Sequence, residues 1–297
     1  MTFTGLFVPL ITPFTATGEI AEEALAGLAH ESLDAGAAGL VALGTTGEPE
    51  TLTEDERRRV LDICADVCQE RGVPLIAGAG SNSTADSVRT LSALDPRVSA
   101  ALAVVPYYTR PSENGVVEHF RHLAAASPVP LIIYHIPYRT GRPLTAETLC
   151  RLAELPNVAG FKYTTGGIDD TAIAFLGRVP AHTSVLAGDD LYAAPLLALG
   201  ASGAILACSN VAPAAYAELI AAWRSGPLDQ ARDLGNRLAP LAAALFAEPN
   251  PTVLKGVLAA RGRIPTPDVR LPLLAASEAS VSAALTALAS VSVAPIA

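Results

Sequence analysis

Short apolar runs recur along this chain, each followed by a turn that contains Gly or Pro and then by a stretch with helical spacing. Apolar runs of about four to eight residues are typical of strands buried on both faces, as in a parallel sheet covered by helices. The pattern therefore predicts a β-sheet whose strands alternate with helices. The predicted strands lie at residues 5–12, 39–44, 74–78, 100–107, 130–136, 158–162, 184–188 and 203–208.

The helical stretches have recognisable starts and apolar faces. Residues 53–56 read Thr-Glu-Asp-Glu, the pattern of a capping box that satisfies backbone N–H groups at a helix start. Apolar side chains follow at helical spacing, at Val60, Ile63, Cys64 and Val67. Further helix caps are predicted at Ser83, Ser112 and Thr145.

Eight repeats of strand and helix are the number that closes a (β/α)₈ barrel, the TIM-barrel fold of the α/β class. A chain of 297 residues is a common length for such a barrel. An open, doubly wound parallel sheet is the competing topology, because it uses the same alternation of strands and helices.

The C-terminal part of the chain contains more helix than an eighth repeat requires, with helical stretches at 229–246, 252–261 and 277–289. We therefore predict two parts. Residues 1–225 form the barrel that carries the active site, and residues 226–297 form a helical extension packed on it. The last residues, 291–297, are expected to be frayed.

Composition favours a globular protein that acts on a small molecule. Apolar residues make up 51% of the chain and charged residues 16%, so a large core is available. The net charge of −9 and the pI near 5.0 argue against nucleic acid or an anionic membrane as the main partner. The sequence shows neither a signal-peptide pattern nor an uninterrupted apolar stretch long enough to span a bilayer, and we expect a cytoplasmic location.

The four cysteines, Cys64, Cys68, Cys150 and Cys208, are scattered along the chain. Cys64 and Cys68 are one helical turn apart on the apolar face of a predicted helix. Because no cluster of histidines accompanies them, core packing is favoured over a metal site. No metal is predicted.

Lysine is rare in this chain, because only Lys162 and Lys255 occur among 20 basic residues. Lys162 ends an apolar run and precedes a polar turn, which is where the amine of a Schiff-base enzyme would lie. A neutral amine attacks a carbonyl, and burial lowers the pKa of a lysine so that more of it is neutral. The alternative is a lysine at a strand end whose amine extends into solvent.

Polar residues collect after three other predicted strands. Residues 44–48 read Gly-Thr-Thr-Gly-Glu, a turn whose hydroxyls and N–H groups suit a carboxylate or phosphate, although a simple turn is the alternative. The turn matches neither a P-loop nor a dinucleotide fingerprint. Tyrosines and an arginine stand at the ends of the fourth and fifth strands. The phenols could relay protons and the guanidinium could bind a carboxylate, although the alternative is that these are only rim residues. These residues are Tyr107, Tyr108, Tyr134, Tyr138 and Arg139.

Other polar residues are given structural roles. His135 is expected to hydrogen-bond to the backbone rather than to act as a base. Asp189 or Asp190 is expected to cap the next helix. Residues 248–251, Glu-Pro-Asn-Pro, predict a rigid corner between helices, and Lys255 is expected to face solvent or a partner subunit.

Taken together, five segments in order resemble the dihydrodipicolinate synthase and N-acetylneuraminate lyase superfamily of class I pyruvate-dependent aldolases. The resemblance extends over nearly the whole chain, and the matching pieces are 44–48, 106–108 with 110–111, Tyr134 with Pro137 and 139–141, 160–162 with 165–166, and 188–190. Within the superfamily, 134–141 and 248–251 are most similar to the synthase branch. The resemblance implies the (β/α)₈ fold and condensation of pyruvate with L-aspartate 4-semialdehyde to give 4-hydroxy-tetrahydrodipicolinate, in lysine and diaminopimelate biosynthesis.

The resemblance also implies a role for each matching residue. Lys162 would form the imine with pyruvate, and Tyr134 would be the acid–base group, in a relay with Thr45 and Tyr108. Substrates would be bound by Thr45, Thr46, Arg139, Gly188 and Ile205, with Arg139 on the carboxylate of the aldehyde. The covalent imine would replace any cofactor.

In this family the second tyrosine of the relay comes from a neighbouring subunit, so the resemblance implies a homotetramer built as a dimer of dimers. Some positions depart from the family's usual pattern. Tyr163, His135 and Tyr138 are bulkier than expected, and we predict that they crowd the aldehyde subsite.

Two alternative functions stay open from the sequence. A related aldolase would use the same imine of Lys162 with another aldehyde or 2-oxo acid, of the hydroxy-oxoglutarate or sugar-acid type. A non-catalytic protein that binds a 2-oxo acid would keep the turn at 44–48 but would not need the tyrosine relay.

Overall fold

Eight parallel strands pair in chain order and close into a barrel in the computed structural model, which describes residues 2–291. The first strand pairs with both the second and the eighth, so the sheet has no free edge. The predicted (β/α)₈ barrel is confirmed, and the open sheet is excluded. The strands are β1 (Gly5–Pro9), β2 (Gly39–Ala42), β3 (Leu75–Gly78), β4 (Ala100–Val104), β5 (Leu131–His135), β6 (Val158–Tyr163), β7 (Ser184–Ala187) and β8 (Gly203–Ile205).

Helices cover the outside of the barrel and form the C-terminal extension. They are α1 (Glu22–Asp34), α2 (Glu54–Arg71), α3 (Thr84–Ser92), α4 (Glu113–Ala126), α5 (Pro137–Thr140), α6 (Ala146–Ala153), α7 (Asp170–Leu176), α8 (Ala193–Ala198), α9 (Pro213–Ser225), α10 (Leu228–Leu245), α11 (Thr252–Ala260) and α12 (Glu278–Val291). The predicted capping box is confirmed at α2, where Thr53 and Glu56 each accept the other's backbone N–H. The caps at Ser83, Ser112 and Thr145 are confirmed as well.

Two apolar layers hold the strands in place. Side chains that point inward fill the barrel with Phe7, Val41, Ile76, Ile132 and Leu186 among them. Side chains that point outward pack against the helices in a larger layer. Because successive side chains of a strand alternate between its faces, each strand contributes to both layers.

The extension consists of α10, α11 and α12, close to the predicted helical stretches. The α10 helix begins at Leu228, soon after α9 ends at Ser225. A division of the chain at residue 225 stays a proposal. Of the residues predicted to be frayed, 292–297 lie outside the described part of the chain.

Lys255 on α11 corrects one prediction, because its side chain is fully buried rather than exposed. Its Nζ pairs with Glu48 at 2.5 Å and donates to the Asp268 carbonyl at 2.8 Å. The prediction is wrong because the opposite charge, on Glu48, lies in a loop far away along the chain. A buried ammonium group is stable only with such a partner.

The cysteines pack as predicted, with Cys64, Cys68 and Cys208 buried and all four thiols free. Within residues 2–291, no three His, Cys, Asp or Glu side chains come close enough together to hold a metal ion. No helix in this described range is both long and apolar enough to cross a membrane.

Candidate active site

A pocket opens at the carboxyl ends of the strands, where the loops of a (β/α)₈ barrel place functional side chains. It is formed by residues of several strand ends and of the C-terminal extension. The residues that line it are Thr45, Thr46, Tyr134, Ile136, Tyr138, Arg139, Lys162, Thr164, Gly188, Asp190, Ala207, Phe246 and Asn250. The pocket thus brings together six of the eight predicted site residues.

Lys162 lies near the end of β6 and points into the barrel. It is the register partner of Tyr134 on β5, so both side chains lie at one level and on one face. The Lys162 Nζ is 4.4 Å from the centroid of the Tyr134 ring. Burial lowers the pKa of Lys162 to about 8, opposed by the charge of Asp190. A useful fraction of this amine is therefore neutral near neutral pH.

Gly188, just after β7, leaves the space that the Lys162 side chain occupies. A Cβ atom at this position would lie 2.7 Å from Lys162 Cγ and 2.1 Å from Thr164 Oγ1. Both distances are far below van der Waals contact. Gly188 therefore contributes to the site by the absence of a side chain.

Tyr134 is a buried phenol at the pocket wall. Burial raises its pKa to about 12, and interaction with the Thr45 hydroxyl opposes the shift. A phenol with a raised pKa stays protonated at neutral pH, so it can donate a proton or a hydrogen bond. This arrangement brings Tyr134 and Thr45 together, as the predicted relay requires.

The turn after β2 forms a tight 3₁₀ segment, Thr45–Gly47, beside the amine. Thr12 Oγ1 donates to the Gly47 carbonyl at 2.7 Å, and Asn250 Nδ2 donates to Thr46 Oγ1 at 3.1 Å. Hydroxyl and N–H groups held in this way suit a carboxylate. The structure therefore keeps the predicted binding turn next to Lys162.

Arg139 lies on the short α5 helix, directly after β5, and its side chain is exposed at the mouth of the pocket. Its guanidinium carbon is 5.1 Å from the centroid of the Tyr138 ring. Stacking of this kind holds the guanidinium while leaving its donors free for an anion. The position agrees with a role in binding a carboxylate that enters from solvent.

Of the two carboxylates predicted to cap the next helix, Asp189 interacts with the backbone N–H groups of Leu191 and Tyr192 just before α8, whereas Asp190 does not act as a cap. The Asp190 carboxylate accepts the Cys208 N–H at 2.7 Å and the Ala207 N–H at 3.3 Å, across the end of β8. The next helix, α8, begins only after Tyr192. Burial raises the pKa of Asp190 to about 6. The carboxylate lines the pocket, and its charge raises the pKa of Lys162.

Two predicted site residues lie outside the pocket lining of their own chain. Tyr108 is 89% exposed, with a left-handed backbone at φ 68°. Ile205 is fully buried in the inner layer of the barrel. Their functional roles stay predictions.

The predicted crowding by bulky residues is wrong at two of three positions. Tyr138 does line the pocket. Tyr163 and His135 instead lie on the outer faces of β6 and β5, where their rings are 5.7 Å apart in the layer under the helices. The expected backbone contact of His135 is also absent at Nδ1, which has no hydrogen-bond partner among the described residues.

Several residues that line the pocket carry no signal of this role in the sequence, among them Asp190, Phe246 and Asn250. Phe246 and Asn250 come from the corner between α10 and α11, where the predicted Glu-Pro-Asn-Pro turn is confirmed. The sequence Pro-Asn-Pro at 249–251 predicts a rigid corner, but it does not predict which part of the barrel the corner contacts. Nothing in the sequence places this corner beside Thr46, which is 204 residues away.

Comparison with known proteins gives one consistent result. A model of the dihydrodipicolinate synthetase family matches residues 2–290. The 4-hydroxy-tetrahydrodipicolinate synthase of Syntrophus aciditrophicus is 42% identical over 94% of each chain. A structure of the chloride-inhibited dihydrodipicolinate synthase of Acinetobacter baumannii, complexed with pyruvate, superimposes with a TM-score of 0.92, at 35% identity, over 98% of this chain and 99% of that one. A monomeric dihydrodipicolinate synthase variant superimposes with a TM-score of 0.93, at 33% identity, over 97% of each chain.

Proposed function

The chain belongs to the dihydrodipicolinate synthetase family, and from this premise we propose that it condenses pyruvate with L-aspartate 4-semialdehyde through an imine on Lys162. The product is 4-hydroxy-tetrahydrodipicolinate, an intermediate of lysine and diaminopimelate biosynthesis. The observation that carries the proposal is the buried Lys162 amine, with its lowered pKa, between Tyr134 and the Thr45–Gly47 turn.

The first half-reaction requires a neutral amine and a held carboxylate. The Lys162 Nζ attacks the ketone carbon of pyruvate, and the loss of water gives a protonated imine. Thr45 and Thr46 bind the pyruvate carboxylate through hydroxyl and N–H groups. Tyr134 supplies the proton that the ketone oxygen needs as it leaves as water.

The second half-reaction uses the positive charge of the imine. Tyr134, which gave up its proton in the first half-reaction, accepts a proton from the methyl carbon, and the electron pair moves to the nitrogen to give an enamine. The enamine carbon attacks the aldehyde carbon, and Tyr134 returns the proton to the aldehyde oxygen, which becomes a hydroxyl. Arg139 binds the aldehyde's carboxylate at the mouth of the pocket. The amine of the semialdehyde then displaces Lys162 as the ring closes, so the covalent chemistry is complete without a cofactor.

Reduction by borohydride tests the covalent step directly. Protein treated with pyruvate and borohydride should gain the mass of a reduced pyruvate adduct on the peptide that contains Lys162. Lys162→Met is the matched control and should gain no mass. Binding of pyruvate without an adduct would instead favour a non-catalytic protein for 2-oxo acids.

Steady-state assays test the second substrate. We expect a higher kcat/KM for aspartate semialdehyde than for hydroxy-oxoglutarate precursors or sugar-acid aldehydes. An adduct with pyruvate but no turnover of aspartate semialdehyde would assign the chain to a related aldolase. A cytoplasmic location fits such a biosynthetic reaction.

We also propose that the active unit contains at least two copies of the chain, with Tyr108 completing the relay in its neighbour's pocket and two dimers forming a tetramer. In support, Tyr108 is exposed, and its left-handed backbone is unusual for a bulky residue. The monomeric variant among the relatives makes a direct test necessary.

Mixed oligomers provide that test. Lys162→Met and Tyr108→Phe should each have little activity alone, whereas a mixture refolded together should recover part of it. Recovery is expected because one of the two pockets in a mixed dimer combines an intact Lys162 with an intact Tyr108 from its neighbour. If the mixture stays inactive, Tyr108 acts within its own chain, and full activity of Tyr108→Phe alone would show that Tyr108 has no role in the relay.

A further inference from the structure

The turn that binds the carboxylate is connected to the C-terminal extension by a buried ion pair. Glu48 immediately follows the Thr45–Gly47 segment, and Lys255 lies on α11. The side chain of Lys255 is completely buried, and that of Glu48 is 2% exposed. Their charged atoms are 2.5 Å apart, so the pair bridges two distant parts of the chain inside the protein.

Each partner is also held by a second, independent contact. The second oxygen of Glu48 accepts the Arg270 N–H at 2.9 Å. Lys255 donates to the Asp268 carbonyl and lies 4.0 Å from the centroid of the Phe14 ring. Because both side chains are also held by these other contacts, the ion pair fixes the position of Glu48 relative to α11 and does not only neutralise a charge.

The backbone conformation of Glu48 shows what the ion pair can stabilise. This backbone adopts a left-handed conformation, with φ 55° and ψ 40°, which a residue with a side chain adopts only at a cost. The Glu48 N–H donates to the Thr45 carbonyl at 3.1 Å and so closes the turn that presents Thr45 and Thr46. A force that holds Glu48 in place therefore holds the turn as well.

A second contact from the extension reaches the same turn, because Asn250 Nδ2 donates to Thr46 Oγ1. The helices after the barrel thus contact the turn on both sides of Gly47. If the extension only covered the surface of the barrel, it would not need to bury a charged side chain beneath the Thr45–Gly47 turn.

Resting on the proposed function, we infer that Glu48 and Lys255 are positioning residues for the pyruvate subsite. The pair holds the Thr45–Gly47 turn in the geometry that binds the carboxylate of the 2-oxo acid. The C-terminal extension therefore contributes to the pyruvate subsite, because the ion pair reaches the turn after β2 and not Arg139 on α5.

Substitution of Lys255 tests the inference, with pyruvate and the aldehyde measured separately. Lys255→Met should raise the KM for pyruvate and slow imine trapping, each by roughly 10- to 100-fold, because a small misplacement of binding groups has effects of this size. The KM for aspartate semialdehyde should change by less than about threefold. Glu48→Gln should act in the same direction, and it provides the measurement if Lys255→Met does not fold.

The double variant Glu48→Gln/Lys255→Met separates positioning from stability. The melting temperature should recover part of the loss seen in Lys255→Met, since no unpaired buried charge remains. The pyruvate KM should stay high, because the connection to the turn is still missing. Recovery of KM together with the melting temperature would overturn the inference, as would an unchanged pyruvate KM in the single variants.

Arg263→Met is the matched control. Arg263 also joins the extension to the barrel, through Glu31 and the Asn210 carbonyl, but it does not contact the binding turn. It should lower the melting temperature and leave the KM for pyruvate unchanged. If the unaltered protein forms no pyruvate adduct, the proposed function itself is wrong, whereas a normal adduct with no effect in the variants refutes only the positioning role.

Discussion

Lys162 and Tyr163 are consecutive on β6, yet their side chains lie on opposite faces of the barrel wall. Lys162 faces the pocket beside Tyr134, whereas Tyr163 packs outward against Phe175, with the ring centroids 5.6 Å apart. Alternation along a strand produces this separation. Of the two tyrosines near Lys162, Tyr134 is therefore placed for the proposed chemistry and Tyr163 for packing.

Replacement of these two tyrosines should reveal the difference. Tyr134→Phe removes the phenol that we propose as the proton-transfer group, and kcat should fall by roughly 10²- to 10⁴-fold with the fold intact. Tyr163→Phe removes a hydroxyl from the outer layer and should keep most of the activity. Steady-state kinetics and circular dichroism would check both variants. Equal losses of kcat would contradict the assignment of Tyr134.

The lowered pKa of Lys162 predicts a pH dependence for imine formation. The neutral amine becomes more abundant as pH rises, so the trapping rate should increase towards pH 8 and level off above it. Asp190→Asn removes a negative charge that raises this pKa, so the rise should move to lower pH. Asp189→Asn is the control and should shift it less. Stopped-flow measurements with pyruvate alone would record the profiles, and a profile that is flat from pH 6 to 9 would contradict the prediction.

The same lowered pKa predicts that the nucleophile reduces stability. Below pH 8 the lysine is charged in both the folded and unfolded states, and the folded state carries the full penalty of burying the charge. Lys162→Met should therefore raise the free energy of unfolding at pH 7 by on the order of 3 kcal/mol. The gain should shrink as pH rises from 8 towards 10.5, where the unfolded lysine also loses its proton. Urea unfolding at pH 7 and pH 10 would measure it, and a gain that does not depend on pH would exclude this cause.

Arg139 should affect the aldehyde much more than pyruvate. Because its guanidinium lies at the mouth of the pocket, Arg139→Ala should lower kcat/KM for aspartate semialdehyde by roughly 10²-fold or more, the value of a charged hydrogen-bonded contact. Trapping of pyruvate by borohydride should proceed at nearly the normal rate. A parallel loss in both measurements would show that Arg139 serves the first half-reaction instead.

Gly188 should not tolerate a side chain. In Gly188→Ala the new methyl group would lie 2.7 Å from Lys162 Cγ, so the lysine must move and pyruvate trapping should slow by at least roughly 10-fold. Gly167→Ala is the matched control, because its Cβ atom would have no neighbour within 4 Å. Normal trapping in Gly188→Ala would mean that the Lys162 chain can shift without loss.

The repeating architecture and the strand ends that carry the candidate site can be predicted from the sequence. Apolar runs and helix caps are local signals, because burial and backbone hydrogen bonding depend on neighbouring residues. Lys162, Tyr134 and the 44–48 turn could be found in this way, since each lies in or at the end of an apolar run.

Which of these side chains come into contact depends on the folded chain. Strand register determines that Lys162 points into the barrel and His135 points outward. Helix packing brings Asn250 into contact with Thr46. Lys255 was predicted to be exposed because a lysine on a helix normally is, and its partner Glu48 is close only in the folded barrel. Charges and hydroxyls interact over a few ångströms of space, and sequence distance carries no information about that separation once the chain has closed into a barrel.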